Sequence, residues 1–65
     1  MKALISKIEP IKTGYRVCQV ESDENIFDVA DGLFWIDCPD NIIADQFWFD
    51  PNLEKFVEII QDITN

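Results

Sequence analysis

Two aromatic triplets, Phe34-Trp35-Ile36 and Phe47-Trp48-Phe49, constrain this chain more than any other feature. Each is built from residue types that favour strands. Neighbouring side chains of a strand point to opposite faces of its sheet. A strand with one wet face alternates apolar and polar residues. These two do not alternate, so the sheet they belong to is apolar on both sides. One face of each triplet must therefore meet something outside the sheet. Phe34, Trp35, Ile36, Phe47, Trp48 and Phe49 are the candidate partner-contact residues, because aromatic side chains are favoured anchors of binding surfaces. The competing use is internal. Trp35 and Trp48 would then fill two ends of one small core, each burying roughly 150–250 Å².

The chain has 65 residues, which sets it as a single small domain over 1–65. A domain of this size buries only about 60% of its unfolded surface, so its stability is marginal without staples or partners. Hydrophobic residues make up 48% of it, which argues against disorder. No apolar run approaches the roughly 20 residues a membrane span needs. The opening Met1-Lys2-Ala3-Leu4-Ile5 lacks the long apolar region of a signal peptide. Cytoplasmic synthesis and no membrane partner are the expectation.

A coarse pass gives strands and turns. Lys2 to Ile8 reads as a strand interrupted at Glu9-Pro10, since proline removes a ladder donor. Thr13-Gly14 marks a turn, making a hairpin with a loop of about five residues. Tyr15 to Glu21 then alternates, with Tyr15, Val17 and Gln19 on one face and Arg16, Cys18 and Val20 on the other. Ser22-Asp23-Glu24-Asn25 is a polar turn. Ile26 to Val29 reads as a short strand, Asp31-Gly32 as a turn and Leu33 to Cys38 as a strand. Phe47 to Phe49 follows, stopped by Asp50-Pro51-Asn52, a type I turn pattern. The fold class is all-β, a small antiparallel sheet or meander of about five or six short strands.

The tail admits two readings. Leu53, Phe56, Val57, Ile60 and Ile63 form a helical stripe, which would make the fold α+β with a helix around 52–63. Lys55 to Ile60 also reads as the returning strand of a hairpin, since three of its four apolar residues are β-branched.

Recognisable catalytic chemistry is absent from the sequence. There is no histidine, the commonest general base near neutral pH. Ser6 and Ser22 have no evident activating partner. With two glycines there is no phosphate-cradling loop. Cys18 and Cys38 read as reduced, half-apolar core thiols, with a single disulfide as the alternative. Asp37, Asp40, Asn41 and Asp45 are oxygen ligands in search of a calcium ion, but their spacing is no EF-hand loop. The expectation is a protein that is not an enzyme, with no cofactor and no metal.

Charge divides the chain. Residues 1–20 hold four cations against one carboxylate, +3, and residues 21–65 hold twelve carboxylates against Lys55, −11, for the net −8. Such a body does not bind phosphate backbones, so no nucleic-acid partner is expected. It favours solubility or attraction to a basic protein.

Three segments carry a resemblance: Thr13-Gly14-Tyr15-Arg16-Val17, Phe34-Trp35-Ile36-Asp37-Cys38, and Ala44-Asp45-Gln46-Phe47-Trp48-Phe49-Asp50-Pro51. In order and flavour they resemble short, largely uncharacterised proteins of tailed bacteriophages, especially phages of aquatic bacteria. The resemblance covers roughly residues 2 to 51. It implies a structural or accessory role in head or tail, a virion location after synthesis in the host cytoplasm, and a larger capsid or tail protein as partner in many copies. It also implies an extended stretch after the aromatic–Asp–Pro segment, which favours the hairpin over the helix. The rival reading is an acidic inhibitor, a mimic of duplex charge acting on a host DNA-binding protein. A homo-oligomer pairing its own aromatic faces is a third.

Overall fold

The computed structural model describes residues 1–59. Five strands form one antiparallel sheet: β1 (Lys2–Ile11), β2 (Gly14–Glu21), β3 (Leu33–Asp37), β4 (Phe47–Asp50) and β5 (Lys55–Glu58). Their order across the sheet is β3-β1-β2-β4-β5. Only a 3-10 turn at Asp23–Asn25 is helical among the described residues. The chain is all-β, and both aromatic triplets are strands.

The β1–β2 hairpin closes through two residues, Lys12 and Thr13, between the paired Ile11 and Gly14. The expected break at Pro10 and five-residue loop do not form. Pairing jumps from Ser6 opposite Arg16 to Pro10 opposite Tyr15, so Lys7, Ile8 and Glu9 bulge out of the ladder. The proline thus lies where the ladder is already disrupted, and its missing donor costs little. Lys12 takes the left-handed φ of 55° that a tight hairpin turn demands at its first position.

A second irregularity corrects the expected faces of β2. Leu4 pairs with Gln19 but Ile5 with Val17, leaving Cys18 as the extra residue. Alternation therefore restarts at Cys18. Tyr15, Val17 and Val20 share one face, and Arg16 and Gln19 the other. The bulge thereby keeps Val20 packed against the core.

β3 does not follow β2 in the sheet but lies on the far side of β1. Both strands run antiparallel to β1, hence parallel to each other, and residues 22–32 must carry the chain back along the sheet. The strand expected at Ile26–Val29 does not form, because this crossover has no ladder neighbour. The turn at Asp31-Gly32 does form. Leu33 N–H donates to the Ala30 carbonyl at 3.2 Å, and Gly32 has φ +89°.

The β4–β5 turn rests on a buried carboxylate. Asp50 Oδ1 accepts the backbone N–H of Asn52 at 2.9 Å and of Leu53 at 3.3 Å, while Pro51 fixes the first bend. The returning strand is β5, and Ile59 N–H donates onward to the Gln46 carbonyl at 2.9 Å. Residues 52–54 are turn and 55–58 strand, so the helical alternative fails there. Its remainder at 60–63, and Ile60 of the returning segment, lie outside the described residues.

The register separates two faces. On the first lie Ala3, Ile5, Tyr15, Val17, Val20, Phe34, Ile36, Phe47, Phe49 and Phe56. Ile42, from the loop between β3 and β4, closes over this side, and Ala3, Ile5, Val17, Ile42 and Phe49 form the buried core. The second face carries Leu4, Ser6, Arg16, Gln19, Trp35 and Trp48.

The join between β2 and β4 needs a glycine. A Cβ at Gly14 would overlap the Phe49 carbonyl and come within 2.7 Å of the Trp48 ring. Gly14→Ala is expected to cost about 1–3 kcal/mol, the usual penalty of overfilling a packed site. Urea unfolding reads this as a lowered midpoint; an unchanged midpoint would show that the two strands stand further apart.

Candidate functional site

The six candidate contact residues fall on two elements that are not neighbours. β3 and β4 are separated by β1 and β2. Across the first face their rings still meet: Phe34 and Phe49 stand edge-on, centroids 6.3 Å apart, and Phe49 leans on Phe56 at 5.3 Å. This face is continuous because inward rings from both triplets reach over the small Ala3 and the β-branched Ile5 and Val17 between them. Phe34, Ile36 and Phe47 remain half-buried, whereas Phe49 is 4% exposed.

On the second face the two tryptophans do not meet. Three inter-strand steps, roughly 14 Å, separate their strands, with Leu4, Ser6, Gln19 and Arg16 between them. Trp48 is 9% exposed, its ring lying over the bare Cα of Gly14. Trp35 is covered differently. The crossover lays Phe27 edge-on against it, centroids 5.3 Å apart at 87°, and the Trp35 indole N–H donates to the Phe27 carbonyl at 2.8 Å. The apolar second face of β3 thus meets a loop of its own chain. Phe27 itself stays 52% exposed.

Phe27 is an exposed ring at this site that the sequence reading did not place among the candidate contact residues. Its signal was available: Ile26-Phe27 is the only pair of large apolar residues between Glu21 and Asp31, a stretch otherwise rich in acids. The other exposed large hydrophobic residues among the described ones are Met1, Ile8, Ile26, Ile43 and Leu53, and they sit at loops, bulges and the chain start.

Charges organise the rim. The Arg16 guanidinium holds Asp45 through both carboxylate oxygens, Nε–Oδ1 at 2.7 Å and Nη2–Oδ2 at 3.1 Å, and reaches Glu9 Oε1 at 2.9 Å through Nη1. That fork holds the Asp45 carboxyl below its ordinary value and raises Arg16 further. Glu9, Arg16, Asp45 and Phe47 line an open cleft of about 300 Å³. At the β3 edge Lys2 pairs with Asp37, which lowers the Asp37 carboxyl through that hydrogen bond. Asp37 and Asp45 are therefore turned to cations, and among the described residues no three His, Cys, Asp or Glu side chains converge on a metal-sized space.

Cys18 and Cys38 are free, half-buried thiols. Burial pushes both pKa values up, which keeps them protonated and poorly nucleophilic. The arrangement offers contact surface and ion pairs. Comparison with known proteins returns no match: no family model, characterised protein or solved structure is similar to this chain.

Two outcomes follow from this geometry. Phe27→Ala should expose Trp35, shifting its fluorescence to the red and costing about 0.5–1.5 kcal/mol for the lost ring pair; an unshifted spectrum would mean that Phe27 does not cover Trp35. Asp37 and Asp45 both lie below the ordinary 3.8 when folded, so their contribution is present above that value and vanishes as pH falls through the lowered ones. The double variant Asp37→Asn, Asp45→Asn should melt below the wild type at neutral pH, with the gap closing as pH falls through the lowered carboxyl values. A gap independent of pH would reject the ion pairs as its source.

Proposed function

We propose that this chain is an accessory protein of a bacteriophage virion, a capsid decoration or cement-type protein or another head or tail component. It binds a larger virion protein through apolar β surfaces. The observation that carries the reading is a five-stranded sheet with one apolar face and a tryptophan toward each end of the other, covered among the described residues by short loops. Phe34, Ile36 and Phe47 are incompletely covered on one side, and Trp35 with its half-exposed Phe27 on the other. The resemblance of segments 13–17, 34–38 and 44–51 supplies the virion setting. Weak contacts of this kind, repeated around a symmetric shell, stabilise it because binding favours the assembled state.

Mixing the purified protein with particles that lack it tests the reading. The protein should sediment with heads or tails and remain bound at high salt, because apolar contacts are not screened. Mass spectrometry of the native particle should detect it. No co-sedimentation with either structure rejects the proposal.

One observation favours the second reading, the acidic inhibitor of a host DNA-binding protein. Glu24, Asp28, Asp31, Asp40, Glu54 and Glu58 are exposed and make no ion pair among the described residues. Such a surface attracts a basic protein, and added salt would dissolve that attraction. Binding lost between low and high salt therefore selects this reading.

A further inference from the structure

The two ends of the sheet differ in a way that the proposed function does not use. β3 and β5 are the edge strands. Open edges are hazards that proteins blunt with charges, proline or bulges. β5 is blunted in this way: its four residues begin with Lys55 and end with Glu58. β3 is not. It runs Leu33-Phe34-Trp35-Ile36 without a charge, a proline or a bulge before Asp37, and its pairing with β1 is unbroken from Ser6–Leu33 to Lys2–Asp37.

The groups that this edge presents follow from the ladder. Lys7 N–H donates to the Gly32 carbonyl at 2.7 Å, and Cys38 N–H to the Met1 carbonyl at 3.0 Å. Antiparallel hydrogen bonding alternates, so Phe34 and Ile36 also turn their backbone groups toward β1. Leu33, Trp35 and Asp37 turn theirs outward. The Leu33 N–H is taken by the Ala30 carbonyl. The Leu33 carbonyl, both backbone groups of Trp35 and the Asp37 N–H have no backbone partner among the described residues.

We propose that the outer edge of β3 is a strand-addition site for an extended, basic segment of a different protein. It rests on the reading of this chain as one that works by being bound, and it names which element is bound and by what chemistry. Main-chain hydrogen bonds from Leu33, Trp35 and Asp37 supply the pairing. The charge around the edge selects the occupant. Asp31 and Asp37 flank the strand, both exposed, with Asp28 and Asp40 a few residues beyond. Asp37 already holds Lys2, so the carboxylates left uncompensated here, among the described residues, are Asp28, Asp31 and Asp40, and a basic side chain of the occupant complements these. A second copy of this chain does not: its net charge is again −8, and antiparallel pairing about Trp35 would set Asp37 opposite Leu33 and next to the copy's Asp31.

The test uses the intact protein, isotope-labelled, with a synthetic peptide of alternating valine and lysine as probe. The peptide should slow amide exchange at Trp35 and Asp37 and leave Phe56 and Glu58 of β5 unprotected. The fully N-methylated peptide, whose methyl groups hold it away from the edge and whose nitrogens cannot donate to the Leu33 and Trp35 carbonyls, should protect neither strand. The double variant Asp31→Lys, Asp40→Lys should bind the valine–lysine peptide about tenfold more weakly and prefer its valine–glutamate counterpart. No protection of Trp35 and Asp37 at millimolar peptide overturns the proposal. So does protection of those amides in the free protein together with a doubled mass, which would make the edge a self-pairing one. Peptide capture without binding to particles would reject the virion reading alone. Particle binding that leaves the Trp35 and Asp37 amides open would reject the edge alone.

Discussion

The join between β2 and β4 holds this molecule together as one sheet. Only two residue pairs span it, Tyr15 with Phe49 and Arg16 with Trp48. On one side of it stand β1, β2 and β3, and on the other the β4–β5 hairpin. An isolated two-stranded hairpin is at best marginally stable in water, so β4 and β5 depend on this contact. Three features concentrate there. Gly14 lets the strands close without a Cβ in the way. Phe49 enters the core beside Val17. Asp45 donates its N–H to the Val17 carbonyl at 3.0 Å while its carboxylate grips Arg16, so the loop before β4 is tied to β2 by main chain and side chain together.

A sheet with one apolar face and two tryptophans on the other would normally want a second layer in so short a chain. Here two loops act as that layer, one on each side. The loop between β3 and β4 contributes Ile42 to the first face, and the crossover between β2 and β3 contributes Phe27 to the second. Loops are poor lids because each residue of irregular chain brings backbone groups that need partners. They cover what a few side chains reach and leave the rest half-buried. That incomplete cover links the fold to the proposed function: the same economy that lets 65 residues close a sheet leaves Phe27, Phe47 and the β3 edge within reach of another protein.

What the sequence disclosed was local. The triplets announced β3 and β4, and Asp31-Gly32 and Asp50-Pro51-Asn52 announced their turns. β5 was one of two readings, since the apolar spacing of the tail leaned to a helix and the resemblance tipped it to the returning strand. The bulges were hidden, because an extra residue in a ladder is defined by the strand opposite. Nothing in Val17-Cys18-Gln19 says that alternation restarts at Cys18; only the pairing of Leu4 and Ile5 with its two sides does. Pro10 misled for the same reason, since a proline ends a regular ladder and this ladder was already irregular. The candidate surface was legible in residue type and illegible in exposure. The order β3-β1-β2-β4 decides that Phe34 and Phe49 converge while Trp35 and Trp48 stay apart, and strand order is a long-range fact.

The charge asymmetry also changes meaning once the strands are in place. Three of the four cations of the first twenty residues lie on β1 and β2, with Lys12 in the turn between them, and most acids of the remainder come from loops and from β3, β4 and β5. Arg16 holds Asp45, and Lys2 holds Asp37. Lys7 stands 6.0 Å above the Phe34 ring, at the outer limit of a cation–π contact. The basic lead segment is thus internal counter-charge, which pins acidic segments to the centre of the sheet. Exposed pairs of this kind contribute little energy each, so their effect lies in position more than in stability. They hold Asp45 at the seam and Asp37 at the edge, and they leave the outward carboxylates uncompensated. A sheet neutralised at its centre and acidic around its rim presents apolar strand and negative charge side by side, a combination that suits a basic, extended partner better than a copy of itself.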